Sequence, residues 1–253
     1  MKLRRKINNH LKLSSKVVLC ISVLLVMSCD PREEVIVYYD SGEIESRGYV
    51  VDGLKEGFSK SYYKNGVLKE EGIWKNDLQE GTWKYYHENG DISAIINFEN
   101  DFQEGVNLYY YPDSVLKEKS NWLKGKLDGE SFLYYENGIL KQEGSWLEGE
   151  KDGYYKSYHE EGSLLQEGRY IQGKEEGKFI TYYSNGDTMN VTFWHEGKRN
   201  GATRSYYSTG NIEQKGFFQG DVFDSTWVIY NEEGQKLETR LYQNGVLIST
   251  SKN

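Results

Sequence analysis

The chain has 253 residues, with 22 Tyr and 6 Trp against only 2 Pro, and a formal charge of −8. This composition suits strands separated by glycine turns. The acidic balance repels phosphates, which excludes an aromatic platform for single-stranded nucleic acid and leaves no nucleic-acid partner expected.

Residues 1–28 form the first predicted element. MKLRRKINNHLKLSSK is basic, and the 11-residue apolar run VVLCISVLLVM that follows is too short to span a bilayer as a mature helix. It suits the h-region of an export signal, with a buried core helix as the alternative. The next residues, VMSCD, resemble a bacterial lipoprotein signal: Val26 stands three before the cysteine and Ser28 just before it, although Met27 is larger than usual. The resemblance implies lipidation of Cys29, with palmitate-type acyl chains that together hold a domain on a membrane as one chain alone does not. An ordinary cleaved signal that leaves a spare thiol is the alternative. Since Cys20 lies inside the signal, the mature chain holds one cysteine and no disulfide.

Residues 1–28 contain six basic and no acidic residues, so their removal takes the formal charge from −8 to −14. Residues 29–36 read as a short tether bearing Asp30, Glu33 and Glu34. An acidic cluster there resembles the outward sorting signal of some Gram-negative lipoproteins, which implies a cell-envelope protein on the outer membrane with its domain facing the exterior. A short acidic tether is also simply soluble.

From residue 37 to 248 the chain repeats itself every 24 residues. The glycine of each NG-like turn falls at Gly42, Gly66, Gly90, Gly138, Gly162, Gly186, Gly210 and Gly234, with Ser114 in the one exceptional place. Four residues earlier stand Tyr38, Tyr62, Tyr86, Tyr110, Tyr134, Tyr158, Tyr182, Tyr206 and Tyr230. Eight residues after each turn comes Val50 and then an unbroken aromatic column that includes Trp74, Trp122, Trp146 and Trp194. Glycine recurs fifteen residues after the turn, as at Gly57 and Gly81, and Gly or Asp recurs eleven after it, as at Asp77 and Gly125. A fixed period of this size marks a stacked array.

Each unit reads as two short strands and two turns, and Gly72 is expected to leave room for a neighbouring aromatic ring. About 18 strands at about 4.8 Å would extend roughly 85 Å as an all-β, open twisted antiparallel sheet of tandem hairpins; a closed barrel is the alternative. Residues 249–253 read as a tail.

YYKNGVLKEEGIWKNDLQEGTWKYYHENG (62–90), YYENGILKQEGSWLEGEKDGYYKSYHEEG (134–162) and the weaker YYSTGNIEQKGFFQGD (206–221) resemble the variant MORN repeat, and in particular the bacterial antitoxins described as YwqK-like. The resemblance implies hairpins used for protein contacts or membrane association, and for some members neutralisation of a toxin. Ile96 and Thr192 replace the glycine before the aromatic column, and Asp113 with Ser114 replaces NG; those units are expected to bend the array.

The candidate chemistry is sparse. His87 and His159 share a repeat slot about 29 Å apart along the stack, and His195 occupies another, so no metal or cofactor is expected. Glu71, Glu143 and Glu167 recur at one slot, which points to solvated strand faces paired with Lys rather than to one acid–base pair, and no Ser sits in a strained elbow. The chain reads as non-catalytic.

The residue after each repeat Tyr is more informative: Tyr39, Tyr63, His87, Tyr111, Tyr135, His159, Tyr183 and Tyr207. If strand alternation holds, these form an exposed aromatic ribbon for a protein partner or for sugar rings. The alternative is that they shield a thin sheet. A toxin as partner is implied only by the family resemblance, and a glycan-binding wall or a passive scaffold remains open.

Overall fold

The computed structural model describes residues 31–252. The expected signal and Cys29 lie outside them. Twenty-one strands form one antiparallel sheet in which chain neighbours pair, from Glu33–Tyr38 at one edge to Val246–Lys252 at the other. The two edge strands do not pair with each other, so the sheet is open. It also reaches further than the predicted 37–248. Glu33–Ile36, expected as tether, pairs with Arg47–Val50, and residues 249–252, expected as tail, pair with 238–241.

Two kinds of turn join the strands. In the first, the Tyr63 N–H donates to the Val67 carbonyl at 2.8 Å and the Gly66 N–H to the Tyr63 carbonyl at 2.9 Å. Gly66 alone is left-handed there, at φ 82°, so NG closes a four-residue turn through a glycine bulge. The same bond pair recurs at Tyr39, His87, Tyr111, Tyr135, His159, Tyr183, Tyr207 and Asn231.

In the second turn both central residues are left-handed, as at Asn76 (φ 51°) and Asp77 (φ 67°), which matches the right-handed twist of the flanking strands. This explains why the slot after Asn76 admits only Gly or Asp. Ser114 is left-handed at φ 65° in the slot that glycine fills elsewhere. An L side chain there costs about 1–2 kcal/mol. Ser114→Gly is therefore expected to raise stability by about 1 kcal/mol, read as a higher urea midpoint at unchanged slope.

The third recurring glycine marks a bulge. Between Glu71 and Ile73 the pairing partner jumps from Lys84 to Glu80, so the extra residues belong to the strand Leu78–Tyr86 and begin at left-handed Gly81. The strand Leu68–Lys75 keeps its alternation, and Gly72 and Trp74 share a face.

That face holds the core. Trp83 is 1% exposed and lies over Gly72, where an added Cβ would stand 2.2 Å from the indole. The indole N–H donates to the Ile73 carbonyl at 3.1 Å, and Trp74 meets the ring edge-on at 5.0 Å. Phe179 covers Gly168 and Trp227 covers Gly216 in the same way.

Where the glycine is lost, the ring is lost with it. Thr192 faces Thr203 with their hydroxyls 3.0 Å apart, and Ile96 is followed in the next strand by Asn107, which accepts the Asn97 N–H. Strand pairing continues through both units, with a register shift between Thr192 and Trp194 and a break between the strands Phe102–Gln103 and Gly105–Tyr110. At Thr192 and Thr203 two middle-sized side chains thus replace a glycine and a ring, as close packing favours.

Candidate functional site

The residues that sequence singles out as a ribbon are half-buried and bonded. The hydroxyl of Tyr39 donates to the Tyr62 carbonyl at 2.7 Å, Tyr63 to Tyr86 at 2.8 Å, Tyr111 to Tyr134 at 2.9 Å and Tyr135 to Tyr158 at 2.8 Å. Tyr183 and Tyr207 do the same to Tyr206 and Tyr230. His87 and His159 place Nε2 at 3.2 and 3.4 Å from the Tyr110 and Tyr182 carbonyls. Lys141 stands 5.2 Å over the Tyr135 ring, with Lys69 and Lys117 placed likewise over Tyr63 and Tyr111.

An exposed ribbon is therefore not what these eight positions form. They make a ladder that ties each turn to the next strand end, where a carbonyl would otherwise lack a donor. The signal was in the residue types: the slot takes Tyr, His or Asn and never Phe.

A second ladder runs along the other edge. Glu56 accepts the backbone N–H of left-handed Asn76, Asp152 that of Gln172, and Glu176 that of Glu196, each 20 residues on. Glu80, Glu104, Asp128 and Asp224 repeat the contact. Sequence reasoning missed this role, although the acid standing just before Gly57, Gly81, Gly105, Gly129, Gly153 and Gly177 was its trace. His195 sits beside this ladder with Nδ1 3.1 Å from Glu176, and the carboxylate lifts its pKa above the ordinary imidazole value.

The face opposite the rings is different. A row passes from strand to strand through Arg47, Lys60, Glu71 and Lys84 and continues to Thr239. Its carboxylates are not merely solvated partners of lysine. Glu71 lies 3.3 Å from Lys60 Nζ, but the recurring contact is a tyrosine hydroxyl: Tyr86 donates to Glu71 at 2.8 Å, Tyr158 to Glu143 at 2.7 Å and Tyr182 to Glu167 at 2.7 Å.

Burial first, and the carboxylate beside each hydroxyl second, push these three tyrosines up to about 12. Below pH 10 tyrosine is protonated folded or unfolded, and the folded state then holds its proton to about pH 12. Stability is expected to be insensitive to these groups up to about pH 10 and to fall between about 10 and 12. Urea titration should show a shallower fall for Tyr158→Phe and Tyr182→Phe, despite lower stability at neutral pH.

On this same face Phe58 is 44% exposed, Phe193 40% and Phe217 38%, with Ile73 and Tyr154 also open. The sequence reading did not single them out, because their two slots are not constant: Phe58 and Tyr154 share one with Thr82, and Ile73, Phe193 and Phe217 share the other with Asn97 and Ser145. A hollow beside them is lined by Lys178, Val191, Phe193, Ala202, Arg204 and Tyr206. Another lies on the ring face where Ser59, not an aromatic, follows Gly48; Val35, Val37, Val50 and Trp74 line it. Among the described residues no group of three His, Cys, Asp or Glu is placed to hold a metal ion, and no helix is long and apolar enough to cross a membrane.

No curated protein matches the chain. Solved structures show weak likeness, and two serve as examples. The crystal structure of TcdB2–TccC3–Cdc42 is 12% identical with a TM-score of 0.19, over 84% of this chain and 12% of that one. The Photorhabdus luminescens Tc holotoxin pore is 11% identical with a TM-score of 0.21, over 82% of this chain and 14% of that one. This chain spans only about an eighth of the length of either, and likeness of that grade carries no argument about function. Residues 55–76, 79–100, 127–148, 151–172 and 199–219 match the family described as the MORN repeat variant. These five segments are similar to variant MORN repeats, and the structure lays them out as paired strands of an open antiparallel sheet.

Proposed function

We propose that the chain is a non-catalytic, lipid-anchored scaffold of the bacterial cell envelope, an array of 24-residue units that binds a protein partner on the face bearing Phe58, Phe193 and Phe217. One observation carries this reading. The constant residues are spent on ladders and ring–glycine contacts inside the array, whereas the exposed Phe58, Phe193 and Phe217 stand on the opposite face in slots whose residue changes from unit to unit. Exposed aromatics with few carboxylates around them are what protein interfaces use as anchors. The carboxylates are dealt out one per unit along edges and rows instead of converging in a cleft, which supports a scaffold rather than an enzyme.

The anchor rests on VMSCD, with Cys29 as the lipidated residue on the outer membrane. Capture from envelope extract tests the reading. Phe193→Ser with Phe217→Ser is expected to lose a protein that wild type retains, at an unchanged melting temperature; equal capture by both contradicts it. Labelled palmitate should enter wild type and not Cys29→Ser, which should leave the membrane fraction.

A further inference from the structure

The cross-strand row carries a glutamate in three units and none at Arg47, Ile95, Lys119, Val191 or Lys215, which stand fifteen residues before Tyr62, Tyr110, Tyr134, Tyr206 and Tyr230. In three units a glutamate accepts the hydroxyl of the tyrosine fifteen residues later: Glu71 from Tyr86, Glu143 from Tyr158 and Glu167 from Tyr182. In the unit after Glu167 the tyrosine is Tyr206, and the residue in the glutamate's place is Val191. Val191 pairs across the sheet with Ile180 on one side and Arg204 on the other.

The space is not filled by another acid. Tyr206 and Val191 line the hollow already described together with Lys178 and Arg204, and none of its lining residues is acidic. Lys178 and Arg204, with no acid among the lining side chains, give the hollow a positive sign. Ile95 also replaces a glutamate, opposite Tyr110, but Leu108 stands beside it where Arg204 stands beside Val191.

We propose that this hollow binds a carboxylate of the protein partner, an Asp or Glu side chain that accepts from the Tyr206 hydroxyl, as Glu71, Glu143 and Glu167 accept from their own tyrosines, and in addition from Arg204. Phe193, exposed at its rim, packs an apolar residue next to that acid. The site rests on the partner-binding reading above and names the chemistry the partner must present. A carboxylate suits it because the same chain builds the same tyrosine contact three times around one. A protein source suits it because the hollow is shallow and flanked by exposed Phe193 and Phe217, which a small acid would leave uncovered.

The test uses the full chain and two probes, N-acetyl-Glu-Phe amide and its Gln analogue, followed by nuclear magnetic resonance of the Tyr206 ring and the Arg204 side chain. The Glu probe is expected to shift both saturably, with the Gln analogue at least tenfold weaker. Val191→Glu supplies the chain's own carboxylate, as sister units do, and should weaken the Glu probe at least tenfold while the fold stands. Arg204→Gln should weaken it similarly. Equal binding of the two probes, or undiminished binding to Val191→Glu, overturns the site. Capture from envelope extract separates the two levels. A protein held equally by wild type and Val191→Glu overturns the site's role while the partner reading stands. Capture of nothing by wild type overturns that reading, and the probes then decide the hollow alone.

Discussion

Gly72→Ala is expected to destabilise the array by about 1–3 kcal/mol, although it adds a single methyl group. The backbone at Gly72 is not left-handed, so strain is not the cause; the added Cβ would stand 2.2 Å from the buried Trp83 ring. To make room the indole must leave its contact with Trp74 and its bond to the Ile73 carbonyl. Gly48→Ala is the control. Its nearest neighbours are the Ser59 hydroxyl at 3.1 Å, which can rotate away, and the Ser59 Cβ at 3.3 Å, which need give by only a few tenths of an ångström, so the change is expected to cost less than about 1 kcal/mol.

Trp83→Ala should cost about 3–5 kcal/mol, as for other buried aromatic truncations. Replacing Gly72 and Trp83 together by Thr copies the Thr192–Thr203 pair. The double variant should be more stable than the two single changes predict by about 0.5–3 kcal/mol. Urea unfolding followed by fluorescence and circular dichroism measures all of these. A Gly72→Ala as mild as Gly48→Ala would contradict the packing described.

Tyr135 tests the hydrogen-bonded ladder. Tyr135→Phe keeps the ring and loses the bond to the Tyr158 carbonyl, an expected loss of about 1 kcal/mol. Tyr135→Ala also loses a half-buried ring, for about 2 kcal/mol in all. Tyr135→His should fall below that loss, because His87 and His159 reach the equivalent carbonyls with Nε2. In a linear array the effect should stay local. Hydrogen exchange is expected to rise at the turns on either side of Tyr135 and not at Gly42 or Gly234. Uniform loss of protection would contradict a nearest-neighbour ladder.

Much of this architecture is legible in the chain because its marks are steric. Gly66 and Gly81 hold backbone angles that a side chain resists, and Gly72 keeps clear a space that an indole fills, so glycine spacing alone reports a turn, a bulge and a core. The role of Tyr135 was harder to read. Alternation assigns a side chain to a face, but this residue ends its strand and enters the turn, where its hydroxyl finds a carbonyl 23 residues away. The acid ladder stayed hidden for a similar reason: Asp152 reads as a solvated charge until the left-handed N–H of Gln172 is seen above it. Phe193 and Phe217 stand one period apart in a slot that elsewhere holds Asn97, Asn121, Ser145 and Arg169, so the slot carries no constant side chain. Their slot varies because no neighbour within the array constrains it.

The most direct measurement places a photo-crosslinking phenylalanine analogue in turn at Phe58, Phe193, Phe217, Tyr63 and Tyr135 in the living cell. The first three positions are expected to yield one adduct of common mass with a second protein, and the two ladder positions none. Adducts from Tyr63 and Tyr135 with none from the phenylalanine positions would contradict the account, because the ladder would then be the binding surface and the open face would not.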